Sequence, residues 1–131
     1  MKKLTLNDYQ EKAMSTCMPS CENISYMLLN LVGEVGEFAS KIAKHIRKGN
    51  MTIGGKCLPN GLHTKLEGEE WLKADVELKK EAGDILWQLA GVCSVMGWEL
   101  EDVAQMNLDK LAARKEAGTI VGNGDGIIRD K

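Results

Sequence analysis

The chain has 131 residues and a nearly balanced charge, with 17 basic side chains, 19 acidic ones and a formal net charge of -2. This length predicts one domain, and the balance excludes the strongly basic surface typical of proteins that bind duplex nucleic acid. No apolar run reaches the eighteen or more residues of a membrane span, and the amino terminus turns polar where a signal peptide would be apolar. We therefore expect a cytoplasmic protein without nucleic-acid or membrane partners.

The four cysteines do not favour disulfide bonds, because nothing in the sequence indicates secretion and the chain is long enough to form a hydrophobic core. A zinc site is the alternative, but no pair has the close spacing of a zinc knuckle, and Pro19 interrupts the first pair. We therefore expect free thiols. The zinc ligands in that alternative would be Cys17, Cys21, Cys57 and His63.

Four segments have helical periodicity and none has the alternation and turns of a β-hairpin, so the predicted fold class is all-α. The first helix is expected from about Leu6 to Cys17, before a segment that contains proline. The second begins near Asn23 and ends at Gly49. Its predicted apolar face consists of Leu28, Leu31, Val35, Phe38, Ile42 and Ile46.

The second half of the chain begins with residues 50–70, which are rich in glycine and predict a long loop that is either functional or mobile. The third helix is expected from about Trp71 or Asp75 to Met96. Its predicted apolar face consists of Leu78, Ala82, Ile85, Leu89, Val92 and Met96.

A fourth helix is expected from near Glu99 to Glu116, and a glycine-rich tail, residues 118–131, follows it. The chain is therefore expected to form one helical domain over residues 1–117, with the loop inserted at 50–70.

Two pairs of acidic residues have the spacing that places them on one side of a helix, since residues three apart lie only about 60° from each other. Glu34 and Glu37 form such a pair on the second helix, and Glu81 and Asp84 form one on the third. Both pairs adjoin a predicted apolar face, so packing the two helices would bring four carboxylates together. Such a group requires a cation, and oxygen ligands alone favour a hard ion such as Mg²⁺ or Mn²⁺.

A di-iron site is disfavoured, because neither histidine lies three residues after an acid on these helices. Glycine adjoins the acidic positions at Gly33, Gly36 and Gly83, although each glycine costs a helix about 1 kcal/mol. We interpret these glycines as allowing helices or a ligand to approach closely. The alternative is that both acidic pairs simply lie on solvated helix faces.

The fourth helix has Asn107, Lys110 and Arg114 at steps of three and four residues. One face therefore carries an amide and two cations, which would suit phosphate oxygens. The alternative is that the cations stabilise the end of the helix through its dipole.

These motifs, taken in order, resemble the all-α nucleoside triphosphate pyrophosphohydrolases of the MazG type. That family has Glu-x-x-Glu, then Glu-x-x-Asp, then Asn-x-x-Lys, and here the pattern stands as "GEVGE", "EAGDILWQLA" and "NLDKLAAR". The segments "LTLNDYQEKAM" and "GTIVGNGDGIIR" also resemble small phage and bacterial members of the family.

The resemblance implies a four-helix, bundle-like fold completed by dimerisation, or by a tetramer of two dimers, in the cytoplasm of a bacterial or phage-infected cell. It implies hydrolysis of a nucleoside triphosphate to the monophosphate and pyrophosphate, with deoxynucleotides such as dGTP favoured. Catalytic residues would bind Mg²⁺, or Mn²⁺ in its place. Basic side chains and a side-chain amide would bind the phosphate groups. The metal ligands would be Glu34, Glu37, Glu81 and Asp84, and the phosphate contacts Lys110, Arg114 and Asn107.

Several further contacts are predicted. Lys41 would bind phosphate, with an ion pair to Glu37 as the alternative. Asn30 would reach the sugar or base, and Trp71 would stack on the base. In the tail, one acidic residue matches the sequence pattern of the family, and one arginine lies two positions away from the arginine of that pattern. These two candidate nucleotide contacts are Asp125 and Arg129.

Two other functions remain open on the sequence alone. The first is a narrower enzyme that acts on dUTP, dCTP or a guanosine tetraphosphate-type alarmone, since the 50–70 segment lengthens the usual gap between the acidic motifs and base preference does not transfer across it. The second is a non-catalytic helical protein that binds a divalent ion or a partner.

Overall fold

A computed structural model describes residues 2–53 and 62–118, with the side chains of Ile53, Leu62 and His63 left aside. It confirms the all-α class. The four main helices are α1 (Leu6–Met14), α2 (Ile24–Arg47), α3 (Gly68–Val95) and α4 (Leu100–Glu116). A short 3₁₀ helix (Pro19–Cys21) precedes α2, and a two-stranded ribbon, β1 (Met51–Ile53) and β2 (Leu62–Thr64), separates α2 from α3. Within the described ranges, no helix combines the length and the apolarity needed to cross a membrane.

The helix boundaries follow local hydrogen bonding and backbone geometry. The side chain of Thr5 accepts from the backbone N–H of Asp8 at 3.0 Å, and the side chain of Asn23 accepts from that of Tyr26 at 2.8 Å. These bonds satisfy amide groups that the first turn of a helix leaves without partners. Gly49 and Gly97 both have φ of 75° directly after helix ends, a conformation that favours glycine, so the predicted stops of α2 and α3 are confirmed.

Helix α1 ends at Met14, three residues before the predicted boundary. The hydroxyl groups of Ser15 and Thr16 donate to the carbonyl oxygens of Lys12 and Ala13, at 2.5 and 2.6 Å. The indole N–H of Trp87 on α3 also donates to the Ala13 carbonyl, at 3.0 Å. Side-chain donors therefore satisfy the last carbonyl groups of α1, which allows the helix to end at Met14.

The prediction of an irregular loop over 50–70 is wrong at both of its ends. β1 and β2 pair as antiparallel strands, with Thr52 opposite His63, and α3 already begins at Gly68. Met51 at the start of β1 is only 1% exposed, and β1 contacts α2. Burial of this residue stabilises the ribbon, although three-residue strands are too short to produce a visible alternation.

A small hydrophobic core joins α1, α3 and α4. Its buried residues are Ala90, Cys93 and Leu100, and Tyr9, Met14 and Val103 pack against them.

Helix α4 has no capping side chain of its own. Instead, the side-chain oxygen of Gln10 on α1 accepts from the backbone N–H of Leu100 at 2.8 Å, and that of Asn7 accepts from Glu101 at 3.2 Å. The amide nitrogen of Gln10 also donates to the carbonyl of Trp98 at 2.9 Å. Helix α1 therefore caps α4 and fixes where it begins.

Helices α2 and α3 form the most extensive interface in the fold. Met27 on α2, which is 1% exposed, lies against the buried Gly91 on α3. The predicted apolar face of α2 is only partly its inner face, because three of its six residues are half-buried, whereas Leu28 and Val35 are both 48% exposed. The half-buried Glu34 instead lies on the inner side, toward α3. The sequence placed the acids at the edge of the core, whereas the structure places Glu34 within the helix–helix interface.

The predicted apolar face of α3 is also only partly correct. Leu78, Ile85 and Val92 are half-buried, whereas Ala82, Leu89 and Met96 are exposed. The positions of α3 that are fully buried include Ala74, Gln88 and Ala90. Helix α3 contacts α2 on one side and α1 and α4 on another, so its buried residues do not follow a single stripe.

Candidate metal centre

Three of the four predicted acidic ligands converge between α2 and α3. One carboxylate oxygen each from Glu34, Glu81 and Asp84 lies within 4.8 Å of the others. Glu34 and Glu81 are half-buried, and Asp84 is exposed, so the cluster opens to solvent on one side. We call these three residues the acidic cluster. Glu37, the fourth predicted ligand, is exposed and does not belong to it.

The carboxylates of the acidic cluster repel one another. Burial raises the pKa of Glu34 above the ordinary value of 4.5, and the negative charges of Asp84, Glu81 and Glu37 raise it further. A hydrogen bond from Asn30 acts in the opposite direction. A divalent ion placed among these carboxylates would relieve their mutual repulsion.

The donor set fits a hard divalent cation. All three groups are carboxylates, and Mg²⁺ and Mn²⁺ prefer oxygen ligands. Two ligands on opposite sides of Mg²⁺, with bonds of about 2.1 Å, lie about 4.2 Å apart. The separations in the acidic cluster are at most 4.8 Å, so small side-chain movements would suffice. Three protein ligands would also leave coordination positions open for water and for phosphate oxygens.

Lys41 forms ion pairs across the interface of α2 and α3. Its ammonium group lies 3.1 Å from a carboxylate oxygen of Glu77 and 3.9 Å from one of Glu81, both on α3. These pairs replace the alternative of an ion pair with Glu37, and phosphate binding by Lys41 stays a prediction. The Glu77 carboxylate is the main reason that the pKa of Lys41 is raised. Lys41 therefore links α2 to α3 and contacts one member of the acidic cluster.

A pair of side-chain amides lies on the other side of Glu34. The amide nitrogen of Asn30 lies 2.6 Å from the side-chain oxygen of Gln88 and 3.5 Å from a carboxylate oxygen of Glu34. These are contacts within the protein, and the contact of Asn30 with a sugar or base stays a prediction. The sequence analysis assigned no role to Gln88. Its position seven residues after Glu81 puts it on the same helix face.

The predicted phosphate-binding residues lie on α4. Asn107 and Lys110 line an open groove of about 1030 Å³, together with Trp98 and Met106 at its apolar wall. Arg114 is half-buried one turn further along the helix. The sequence predicted this polar face but not the tryptophan beside it, which is 49% exposed.

The remaining predicted contacts are Trp71, two residues of the tail and the ligands of the alternative zinc site. Trp71 is half-buried in the first turn of α3. Asp125 and Arg129 lie outside the described residues. Of the residues in the alternative zinc site, Cys17 and Cys21 are free thiols, whereas Cys57 and the side chain of His63 lie outside the description.

The glycines beside the acids do not allow close helix packing within this chain. A Cβ atom added at Gly36 or Gly83 would meet nothing within 4 Å among the described residues, and one at Gly33 would meet only Asn30 of the same helix, at 3.6 Å. That half of the interpretation is wrong, and the approach of a ligand stays a prediction. The glycine that does permit close packing is Gly91, where an added Cβ would lie 2.7 Å from the terminal methyl group of Met27.

Comparison with known proteins agrees with the order of these motifs. The sequence profile of the MazG nucleotide pyrophosphohydrolase domain matches residues 22–119. The chain is similar to the gene 37 protein of Mycobacterium phage L5, with 34% identity over 106 residues that cover 81% of this chain and 78% of the phage protein. No solved structure gives a significant match. The matched segment contains α2, α3 and α4, and with them the whole acidic cluster, so the chain belongs to the MazG nucleotide pyrophosphohydrolase family.

Proposed function

We propose that this protein hydrolyses nucleoside triphosphates to the monophosphate and pyrophosphate, with Mg²⁺ as its metal and Mn²⁺ as a substitute. The observation that carries the proposal is the convergence of Glu34, Glu81 and Asp84 from two helices to within 4.8 Å. Membership of the family supports the reaction class. It also supports the metal, because the family as a whole depends on divalent metals. Deoxynucleotides, with dGTP among them, are the substrates we expect to be favoured.

The metal would bind at the acidic cluster. When bound, a divalent ion supplies positive charge that neutralises the triphosphate and stabilises the charge that develops during phosphoryl transfer. Lys41 holds Glu81 from one side, because its ammonium lies 3.9 Å from that carboxylate. Glu37 lies one turn beyond Glu34 on the exposed part of the same face and is available to orient the attacking water.

Phosphate oxygens beyond the metal would contact α4. Asn107, Lys110 and Arg114 lie on one side of this helix, and the first two line the open groove. Helix α4 packs on α1 and α3 through its first turns. We also propose that the protein is a homodimer or a tetramer of two dimers.

The outer face of α2 supports a dimer. Leu29 and Val32 are 76% and 73% exposed, and Leu28 and Val35 are each 48% exposed. No charged residue separates these positions from Ala39 on the same side of the helix. A contiguous apolar surface of this kind is typical of a protein interface.

A panel of the eight common nucleoside triphosphates, incubated with Mg²⁺ and assayed for pyrophosphate, tests this function. We expect pyrophosphate from at least one deoxynucleotide, and a loss of more than about 100-fold in Glu81→Gln, because that change removes a charged ligand. Glu70→Gln is the matched control, since Glu70 is exposed on the same helix and outside the acidic cluster. It should retain activity.

Specific results separate the other functions. Activity confined to dUTP or dCTP would identify the narrower enzyme, and a guanosine tetraphosphate-type alarmone belongs in the same panel. Mn²⁺ binding without pyrophosphate from any nucleotide would favour the non-catalytic metal-binding protein. Full activity in Glu81→Gln would contradict the assignment of the acidic cluster.

A further inference from the structure

Gln88 is a buried polar side chain whose place in the interface needs an explanation. It is 2% exposed, and among the described residues it is the one polar side chain in the buried class. Burying an amide costs free energy unless its donors and acceptors are satisfied, and an apolar residue of similar size avoids that cost. Gln88 lies in the interface of α2 and α3, beside Met27.

The hydrogen bonds of Gln88 fix its orientation. Its amide nitrogen lies 3.4 Å from the backbone carbonyl oxygen of Met27 and 3.5 Å from the sulfur of the same residue. Both of these atoms only accept hydrogen bonds, so the nitrogen of the amide must face them. The side-chain oxygen of Gln88 is therefore turned toward Asn30.

The orientation of Asn30 follows in the same way. The atom of Asn30 that lies 2.6 Å from the Gln88 oxygen has to be a donor, which identifies it as the amide nitrogen. One of its two hydrogens is used by Gln88, and the same nitrogen lies 3.5 Å from a carboxylate oxygen of Glu34. The second hydrogen is thus directed at Glu34 by an arrangement that begins at the Met27 backbone.

This arrangement has a consequence for the acidic cluster. A donor on one oxygen of Glu34 restricts rotation of its carboxylate and leaves the other oxygen to be offered to an ion. Groups that hydrogen-bond to metal ligands in this way orient the ligands, and their loss typically weakens metal binding by about 10–100-fold. Lys41 contacts Glu81, so one acid on each helix has a neighbouring side chain that helps to hold it.

We propose that Gln88 is a positioning residue for the metal centre, and that it acts on Glu34 through Asn30. The proposal rests on the proposed metal-dependent function. It assigns Asn30 to the support of the metal ligand, and it explains why α3 retains a buried amide at position 88.

Mn²⁺ binding to the full chain, measured by calorimetry without nucleotide, tests the proposal. The variants are Gln88→Met, which keeps the length of the side chain but removes the amide, Asn30→Ala, and the double variant. We expect each single variant to weaken Mn²⁺ binding about tenfold or more. If Gln88 acts through Asn30, the double variant should bind no more weakly than Asn30→Ala, since coupled residues are non-additive.

Cys93→Ala provides the matched control. Cys93 is 1% exposed on the same helix but packs in the core shared with α1 and α4. Its loss should lower the melting temperature and leave the Mn²⁺ affinity unchanged, which separates a general loss of stability from a loss of positioning.

The outcomes that would overturn the proposal are distinct from failure of the proposed function. Wild-type affinity in Gln88→Met, or additive losses in the double variant, would overturn the role of Gln88 alone. If Gln88→Met does not fold, Asn30→Ala still carries the test, because Asn30 is only half-buried and unchanged affinity there is equally contradictory. A wild-type protein that binds no Mn²⁺ would overturn the metal-dependent function and this proposal with it.

Discussion

Glu34 has an unfavourable environment in the metal-free protein. Burial is the main reason that its pKa is raised, and the charges of Asp84, Glu81 and Glu37 add to the effect. The folded protein therefore holds a proton on Glu34 more tightly than the unfolded chain does. The free energy of unfolding consequently falls as the pH rises from 4.5 through the raised pKa. The same repulsion that lowers the stability would favour the binding of a cation beside Glu34.

We therefore predict that Glu34→Gln stabilises the metal-free protein at pH 7, because a neutral amide removes the repulsion. The gain should shrink as the pH falls below 4.5, where the wild-type carboxyl group is protonated in both states. Thermal unfolding followed by circular dichroism in a chelating buffer measures both effects. Glu70→Gln should show no comparable gain, and a lower melting temperature for Glu34→Gln at pH 7 would contradict this account.

The sequence was sufficient to predict three members of the acidic cluster but not the exclusion of Glu37. Spacing of three residues places two acids on one side of a helix, yet they still differ by about 60° in direction. A second helix packs closely against only part of this range of directions. The rotation of α2 about its own axis therefore decides which acid joins the acidic cluster. The Lys41–Glu77 pair and the Asn30–Gln88 pair depend on the same rotation, which no pattern within one helix specifies.

At the scale of the secondary-structure elements, the crossing of α2 and α3 positions the acidic cluster. Gly91 allows this crossing, because Met27 occupies the space that a larger residue at position 91 would need. Met27 is 1% exposed, so its end cannot move out into solvent without a change in the surrounding packing. The helix periodicity predicted both helices, but it did not identify this glycine, since the evidence for its role lies on the partner helix.

Gly91→Ala should therefore destabilise the protein by about 1–3 kcal/mol, the usual cost of overpacking a buried site. Gly83→Ala is the matched control on the same helix, since an added Cβ there would meet nothing within 4 Å. It should instead be stabilising, by up to about 1 kcal/mol, because alanine is the better helix former. Urea unfolding monitored by circular dichroism measures both changes, and equal effects of the two substitutions would show that the crossing is not tight.

The sequence did not predict the ribbon or the capping of α4. The ribbon of β1 and β2 is held by the burial of Met51, and α4 is capped by Gln10 and Asn7 of α1. The two capping residues lie 90 and 94 residues before the amide groups that they cap, so no local pattern predicts these bonds. Local signals, in contrast, predicted the start of α2 at Asn23 and the glycine stops of α2 and α3.

At the scale of the whole molecule, α2 has two different sides. Its inner side contributes Glu34 to the acidic cluster, and its outer side is apolar and exposed. The hydrophobic pattern of the sequence was read as the core of one chain, whereas Leu28 and Val35 on that face are each 48% exposed. A pattern within one sequence does not distinguish burial in the same chain from burial in a second copy.

We predict that the protein is at least a dimer and that Val32→Glu weakens the association by about tenfold or more, because it places a charge in an apolar interface. Val32 is 73% exposed in the single chain, so the substitution should leave the fold intact. Sedimentation equilibrium measures the association. Thr52→Glu, on the exposed side of β1, is the control that adds the same charge elsewhere. A wild-type protein that sediments as a single chain would contradict the dimer.

The most direct test of the central claim, that the acidic cluster supports pyrophosphohydrolysis, is a phosphorus NMR spectrum of the preferred deoxynucleotide incubated with protein and Mg²⁺. We expect the triphosphate signals to be replaced by those of a monophosphate and pyrophosphate in equal amounts, and to persist with Glu81→Gln or with excess chelator. A diphosphate with inorganic phosphate, or unchanged turnover without the Glu81 carboxylate, would contradict the account.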